Sequence, residues 1–222
     1  MKQIISKTKN NRFILNLVTA LYRLFAFNKI KGKVALKLLG GVRIKHTCVR
    51  DKGANNEIVI GDYSRVYNCS FYFKGVGSKI IIGNHVLLQN VEFHVEDNGN
   101  GITIGDGCNL TGKAHIACTE GKRIVIGEKC LFSNEIVIRT GDSHSIVNND
   151  GLRINPAEDV TIGDRVWVGQ HCTILKGCKI GDDSILATGC VVTKGVFTPN
   201  SILAGIPAKT VKKDVSWKME RI

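Results

Sequence analysis

An isoleucine–glycine pair recurs along most of this chain at fixed intervals. Four pairs follow one another in steps of 22 residues, the next comes 36 residues later and the last after a further 18, at Ile60-Gly61, Ile82-Gly83, Ile104-Gly105, Ile126-Gly127, Ile162-Gly163 and Ile180-Gly181. From residue 162 onward a finer period of six is present, in which an aliphatic residue is followed four positions later by a small one. The aliphatic positions are Ile162, Val168, Ile174, Ile180, Leu186 and Val192, and the small positions are Val166, Cys172, Cys178, Ser184, Cys190 and Val196. A repeat this regular indicates one structural unit stacked on itself.

A six-residue period fits neither an α-helix nor a hairpin sheet, whose apolar periods are 3.6 and 2. It fits a three-sided coil, in which six residues make one face and one corner and 18 make a turn. The aliphatic side chain fills the interior, the small residue lies at the bend, and the glycine after each isoleucine is expected to admit backbone angles that other residues resist. We therefore predict a prism of stacked parallel strands, with about seven turns and a length of roughly 33 Å.

The longer steps indicate insertions at one corner of the prism. A 22-residue coil is an 18-residue coil with four extra residues, which fall in the segments "DKGANN", "KGVGSK", "EDNGNG" and "TEGKR". In the 36-residue step the same corner carries "TGDSHSIVNNDGLRINPAED". We predict that this loop, residues 139–159, projects from the prism and carries His144.

Eight cysteines occur without a CxxC pair, a zinc-type spacing or a cleavable secretory signal. This pattern predicts reduced thiols in a soluble cytoplasmic protein. Five of the cysteines occupy small positions of the repeat and are expected to be compact apolar fillers of the interior: Cys108, Cys130, Cys172, Cys178 and Cys190.

The chain has a net charge of +12, and the basic excess lies mainly in the first fifty residues and the last fifteen. We find no nucleic-acid-binding motif and no aromatic residues interleaved with basic ones, so nucleic acid is not an expected partner. The charge favours phosphates of a cofactor, an acidic glycan or lipid headgroups.

The segment "NRFILNLVTALYRLFAF", residues 11–27, predicts a helix that is too short to span a bilayer. Basic residues flank it, so we describe residues 1–41 as a basic amphipathic helical segment. Two placements remain open: peripheral contact with the inner face of a membrane through residues 11–38, or packing over the open end of the prism.

The hexapeptide repeats, the loop with "DSHSI", the run "IGDRVWVGQHCTILKGCKIGDDSILATGCVVTKG" and the segment "AGIPAK" resemble the left-handed β-helix hexapeptide-repeat acyltransferases, above all those that acetylate sugars, polysaccharides and xenobiotics. The likeness covers about residues 58–213. The resemblance implies an all-β, left-handed parallel β-helix over residues 42–213, followed by a tail at residues 214–222. It also implies a homotrimer with acetyl-CoA bound in each cleft between neighbouring prisms.

In that family the histidine that matches His144 acts as general base, and the tryptophan that matches Trp167 lines the thioester and acceptor pocket. Burial in a subunit interface is the alternative for Trp167. Asp142 either orients the imidazole or shapes the turn. For the cofactor, the matching segments imply contacts at Gly169, Thr188, Gly189, Ala204, Gly205 and Pro207, with Trp167 beside the thioester. Lys194, Lys209 and Lys212 are candidates for contact with its phosphates, as are Arg165 and Lys176. A solvated C-terminal run of charges is the alternative for Lys212.

The sequence therefore predicts an acetyl-CoA-dependent O-acetyltransferase that needs no metal and acts on a hydroxyl of a cell-surface carbohydrate, with an acidic glycan as one acceptor class. An N-acetyltransferase of a nucleotide-sugar or xenobiotic is the nearest alternative. A carbonic-anhydrase-like metal hydratase uses the same repeat, but its HxxxxH spacing is missing here. His94 and His115 are 21 residues apart and so nearly stack in successive coils, which leaves a chance metal site as an alternative. A non-catalytic β-helix is a further alternative.

Overall fold

The computed structural model describes residues 11–220, which form one helix and 25 strands numbered in chain order. Three sheets, which we call faces A, B and C, make the sides of a triangular prism. Face A contains β1 (Lys29–Lys31), β4 (Cys48–Asp51), β7 (Ser70–Lys74), β10 (Val91–Glu96), β13 (Ala114–Cys118), β16 (Ile136–Arg139), β19 (Thr173–Ile174) and β22 (Val191–Val192).

Face B contains β2 (Ala35–Leu38), β5 (Glu57–Ile60), β8 (Lys79–Ile82), β11 (Gly101–Ile104), β14 (Arg123–Ile126), β17 (Val160–Ile162), β20 (Cys178–Ile180) and β23 (Gly195–Phe197). Face C contains β3 (Arg43–Lys45), β6 (Arg65–Tyr67), β9 (Leu87–Gln89), β12 (Asn109–Leu110), β15 (Leu131–Phe132), β18 (Trp167–Val168), β21 (Ile185–Leu186) and β24 (Ile202–Gly205), and it ends in an antiparallel strand, β25 (Ala208–Lys212). The predicted parallel β-helix is confirmed, but it begins before the expected residue 42, because β1 and β2 already belong to faces A and B.

Each coil contributes one strand to each face and lies in register on the coil before it. On face B the inward side chains of Ile58, Ile80, Ile102 and Ile124 stack in one column, and all four are buried. Such columns fill the interior with aliphatic side chains, as expected for parallel sheets without a solvated inner surface. Eight coils give seven steps of about 4.8 Å, so the prism is about 34 Å long.

The cysteines of the repeat are buried fillers, as predicted. Five of them line the interior and none is more than slightly exposed: Cys108, Cys130, Cys172, Cys178 and Cys190. All eight cysteines lie in the described part of the chain as free thiols. Burial raises the pKa of the Cys178 thiol to about 12, so this group stays protonated and unreactive at neutral pH.

The glycine after each isoleucine is required for a different reason from the one expected. These glycines do not have a positive φ; the left-handed residues come two positions later, for example Gly107 at φ 68° and Lys129 at φ 54°. A Cβ on Gly105 would instead lie 2.6 Å from the backbone carbon of Gly127 in the next coil. Glycine is needed at this corner because successive coils approach too closely for any side chain.

Helix α1 (Arg12–Phe25) packs on the first coil at the N-terminal end of the prism. The side chain of Leu15 lies against Gly40 and Gly41, and the Gly41 N–H donates to the Leu15 carbonyl at 3.2 Å. The buried hydroxyl of Thr19 donates to the carbonyl of Leu39 at 3.1 Å. The helix therefore covers part of an end that would otherwise expose strand edges. Among residues 11–220, no helix has both the length and the hydropathy needed to cross a bilayer.

We predict that Gly105→Ala destabilises the protein more than Gly107→Ala. At position 105 the methyl group meets backbone that cannot move away, which we expect to lower the free energy of unfolding by about 3 kcal/mol. At position 107 the methyl group meets only the flexible side chain of Lys129, and the left-handed backbone costs about 1 kcal/mol. Denaturant unfolding of both variants measures the difference, and an equal or reversed order would contradict the clash.

Candidate active site

Residues 140–159, which we call the arm, connect β16 on face A to β17 on face B. The middle of the arm is a hairpin: the Ile154 N–H donates to the Ile146 carbonyl at 2.8 Å, and the Asn148 N–H donates to the Leu152 carbonyl at 2.9 Å. Four apolar side chains of the hairpin are more than half exposed: Ile146, Val147, Leu152 and Ile154. The arm therefore has its own hydrogen-bonded structure and offers an apolar surface to a partner.

A buried asparagine, Asn155, holds the two ends of the arm together. Its side-chain amide donates to the Asp142 carboxylate at 2.8 Å and to the His144 carbonyl at 2.9 Å. Its side-chain oxygen accepts from the Ile146 N–H at 2.7 Å. One side chain thus bonds to the backbone at His144 and Ile146 and to the side chain of Asp142. The sequence analysis missed Asn155, because nothing local marks an asparagine whose partners lie nine to 13 residues away.

An ion pair fastens the arm to the coil below it. The Arg153 guanidinium donates to both oxygens of the Glu120 carboxylate, at 3.0 and 2.6 Å, and Glu120 also accepts from the Ala157 N–H at 3.2 Å. The hydrogen bonds from Arg153 lower the pKa of Glu120 below its usual value. Bidentate pairing restricts the geometry more than a single contact does.

Asp142 takes part in holding the arm. Its carboxylate bonds to the Lys176 ammonium group and to Asn155, and the contact with Lys176 is the main reason that the pKa of Asp142 lies below its usual value. Within residues 11–220 no hydrogen bond joins Asp142 to the His144 ring. Of the two roles left open for Asp142, the geometry supports the shaping of the arm.

The His144 side chain is exposed and its ring has no hydrogen-bond partner in the described part of the chain. Its backbone, in contrast, is held by Asn155. An imidazole with a fixed backbone and a free ring can accept a proton from a hydroxyl that binds beside it.

Trp167 lies on β18 of face C with its indole pointing outward and 41% exposed. The ring of Trp217, from the C-terminal tail, lies beside it with the centroids 6.1 Å apart. The Trp217 indole N–H donates to the Arg165 carbonyl at 2.6 Å. In return, the Arg165 guanidinium lies over the Trp217 ring, and it also donates to the Asp183 carboxylate at 2.8 Å. Arg165, a candidate cofactor residue, is thus engaged in anchoring the tail. The sequence analysis also missed Trp217.

A single chain does not bring His144 and Trp167 together. The arm leaves the prism at the corner between faces A and B, and its anchors Glu120 and Lys176 lie at the same corner of other coils. Trp167 lies on face C, which is the side opposite that corner. The two candidate catalytic residues therefore lie on opposite sides of one prism.

The candidate cofactor residues without charge lie on face C and at its following corner, near the C-terminal end of the prism. Gly169 follows β18, and its N–H donates to the Leu186 carbonyl of the next coil. The Ala187 N–H of that coil donates to the Leu203 carbonyl of the coil after it. The remaining positions continue this strip of small residues: Thr188, Gly189, Ala204, Gly205 and Pro207. The strip has small side chains throughout, so an extended molecule can lie flat against it.

The candidate phosphate-binding lysines fall into two groups. Lys176 is paired with Asp142, and Lys194 is paired with Glu158 at 2.8 Å. Lys209 and Lys212, on β25, are exposed and have no ion-pair partner within residues 11–220. The register of β24 and β25 places Lys209 beside Ala204, at the edge of the small-residue strip. These two lysines are the ones that are free to bind phosphate.

The histidines outside the arm do not form a metal site in the described part of the chain, where no cluster of three His, Cys, Asp or Glu residues could hold an ion. The rings of His94 and His115 lie 6.1 Å apart on face A. Each faces a glutamate, Glu96 and Glu92 respectively, at 3.5 Å.

Comparison with known proteins supports the resemblance. The family model described as bacterial transferase hexapeptide (six repeats) matches residues 159–194. The galactoside O-acetyltransferase of Escherichia coli strain K12 is 41% identical over 54 residues, which is 24% of this chain and 26% of that protein. A chloramphenicol acetyltransferase of Agrobacterium fabrum is 43% identical over 58 residues, or 26% and 27% of the two chains. The chain thus matches about a quarter of the length of these curated relatives.

The similarity to a solved structure is more extensive. The crystal structure of the polysialic acid O-acetyltransferase OatWY superposes with a TM-score of 0.81 and 28% identity, covering 88% of this chain and 92% of that one. The resemblance to hexapeptide-repeat acetyltransferases predicted from the sequence is therefore confirmed.

We predict that Asn155→Ala loosens the arm and leaves the prism intact. Removing the side-chain amide takes away the bonds to the Asp142 carboxylate and the His144 carbonyl and the acceptor of the Ile146 N–H, so amide hydrogens of the arm should exchange about tenfold faster. Hydrogen exchange read by mass spectrometry compares the arm with β8. Asn98→Ala is the matched control, since Asn98 accepts from the Val76 N–H at the corresponding corner of a coil without an arm. Unchanged arm exchange in Asn155→Ala would contradict the role of Asn155.

Proposed function

We propose that this hexapeptide-repeat β-helix protein is an O-acetyltransferase that moves an acetyl group from acetyl-CoA to a hydroxyl of a cell-surface carbohydrate. The observation that carries the proposal is the similarity to a polysialic acid O-acetyltransferase along nearly the whole of both chains. Polysialic acid is an acidic polymer, and this chain has a net charge of +12, so an acidic glycan is the acceptor class that we favour. Eight free cysteines and a coenzyme A donor are consistent with a reaction in the cytoplasm.

His144 is the proposed general base. A ring nitrogen accepts the proton of the acceptor hydroxyl as that oxygen attacks the thioester carbonyl, and the carbon–sulfur bond then breaks. The imidazolium returns the proton to the departing thiolate, so the histidine ends the cycle neutral. Histidine is the side chain that most often serves as general base in proton transfers of this kind. The bonds of Asn155 hold the backbone beside the imidazole in one position during both proton transfers.

The donor fits the small-residue strip of face C. Its acetyl thioester is the activated acyl group that the acceptor attacks. Gly169, Ala187 and Ala204 leave room along the strip for an extended pantetheine chain, and Lys209 and Lys212 stand free beside its end. Lysine binds phosphate as a point charge and needs no fixed geometry. Trp167 adds an exposed indole at the thioester end of the strip, where it can cover the acyl group.

We predict that His144→Ala lowers the turnover number by at least about 100-fold and leaves coenzyme A binding unchanged, because only the proton transfer is lost. The measurement is free thiol released from acetyl-CoA with a panel of glycans. His85→Ala is the matched control, since His85 lies three coils closer to the N-terminus and stacks on Tyr63. Near-normal turnover in His144→Ala would remove His144 from the mechanism, and failure of the wild type to bind coenzyme A would favour a non-catalytic β-helix.

The proposed active enzyme is a homotrimer, and the geometry of the chain supports this. His144 and Trp167 lie on opposite sides of one prism, so a site containing both needs an arm from one subunit and face C from the next. Head-to-tail contacts of this kind close into a ring when the rotation permits. The exposed apolar side chains of the arm and of Trp167 are the surfaces that such contacts would bury.

Mixing two inactive variants tests the shared site. In a trimer that contains both His144→Ala and Trp167→Ala subunits, one of the three interfaces joins an intact arm to an intact face C, so we expect about a third of wild-type activity. The two variants are coexpressed with different tags, purified through both tags and assayed for thiol release. A mixture no more active than its parents would mean that both residues act within one subunit.

A small-molecule acceptor is the second candidate, because a curated relative acetylates chloramphenicol by name. The same general base serves a hydroxyl of an antibiotic, a hydroxyl of a sugar or an amine of a nucleotide-sugar. Including antibiotics and amino sugars in the thiol-release panel distinguishes these acceptors.

A further inference from the structure

Helix α1 has two apolar sides, and only one of them packs on the prism. Leu15 and Thr19 face the first coil, as described above. The side chains of Phe13, Leu17 and Leu24 point away from it and are 76%, 51% and 72% exposed. These residues are four and seven positions apart, so they form one continuous stripe along the helix. The stripe continues into neighbouring exposed residues: Leu21, Phe25, Phe27 and Ile30.

The surroundings of this stripe are basic. Residues 11–50 contain nine lysine or arginine residues and no aspartate or glutamate. Arg12 pairs with Asp62 and Lys37 pairs with Glu57, both partners lying in the next coil. Seven of the nine have no ion-pair partner within residues 11–220: Arg23, Lys29, Lys31, Lys33, Arg43, Lys45 and Arg50. An exposed apolar stripe and uncompensated positive charge therefore lie at the same end of the prism.

We propose that the N-terminal end of the prism is a docking surface for an anionic lipid bilayer. The exposed stripe of α1 would enter the boundary between headgroups and acyl chains, and the unpaired lysines and arginines would contact the anionic headgroups. The helix binds in the plane of the surface, with its other side still packed on the first coil. This inference concerns the position of the protein in the cell and holds whether or not the proposed acetyl transfer is correct.

A second copy of the chain is a poorer occupant of the same surface. Two copies that met through this end would bring their unpaired basic residues together, and like charges in contact oppose association. An uncharged partner would cover the apolar stripe and leave the basic residues uncompensated. An anionic membrane surface is complementary to both features.

Vesicle sedimentation of the full chain tests the proposal. We expect binding to vesicles of equal parts phosphatidylcholine and phosphatidylglycerol, weaker binding to pure phosphatidylcholine, and loss of binding at high salt. The variant Phe13→Glu/Leu24→Glu should reduce the partition coefficient at least about tenfold, because it places charge where acyl chains would lie. Lys29→Gln/Lys31→Gln/Lys33→Gln should reduce it by a similar factor on anionic vesicles only.

Val76→Glu is the control, because Val76 is an exposed apolar residue at a corner of a later coil. Its binding should equal that of the wild type. We expect circular dichroism spectra and melting temperatures close to those of the wild type for all variants, because the substituted side chains point into solvent. Absence of binding to anionic vesicles would overturn the proposal, and so would equal binding by Phe13→Glu/Leu24→Glu.

The mass of the assembly in the absence of lipid is the remaining measurement. If Phe13→Glu/Leu24→Glu changes the mass of the assembly in solution, then a second copy occupies the stripe and the proposal is wrong. Thiol release with a soluble acceptor is measured on the same samples. We expect thiol release to be unchanged by the helix substitutions. If the wild type releases no thiol, the proposed acetyl transfer is wrong, but the vesicle-binding result still tests the docking surface.

Discussion

The structure depends on the close stacking of one coil on the next. Every backbone strand bonds to the equivalent strand of the following coil, and at the corner marked by Gly105 and Gly127 the coils approach so closely that a single methyl group has no room. A coil in this stack cannot be lengthened along a face without shifting every side chain between interior and solvent. Extra residues can only leave the stack at a corner, and this is where the four-residue insertions and the arm are found.

That restriction explains why the candidate site is divided. The arm begins at the corner between faces A and B, so the prism itself separates His144 from Trp167 on face C. The bonds of Glu120 and Lys176 hold the arm at its own corner and prevent it from folding back across a face. A rigid prism thus presents the candidate base His144 on one side and the small-residue strip on another. Rotational symmetry between copies is the simplest operation that joins them.

The repeat made most of the fold predictable, because each position has the same environment in every coil. The period of six identified the interior positions, the cysteine fillers and the corner from which the arm leaves. The same reasoning failed for contacts that occur once. Asn155, the Arg153–Glu120 pair and the packing of Trp217 on Arg165 join residues up to 52 positions apart, and no periodic signal marks them. The positions of the glycines were predicted correctly, but the reason given for them was wrong. A sequence shows that a position has no side chain; it does not show whether a positive φ or the close approach of the next coil requires this.

The stack also separates the basic, apolar N-terminal end from the candidate site along the axis of the prism. Helix α1 lies on the first coil and the arm leaves the sixth, so five steps of about 4.8 Å place about 24 Å of rigid prism between them. The basic, apolar end and the candidate site can therefore act without sharing residues. A molecule held by its first coil at a lipid surface would carry its candidate site at a fixed height above the headgroups. Such an arrangement suits an acceptor glycan that is itself attached to lipid, because the glycan extends away from the surface while its anchor stays in the bilayer.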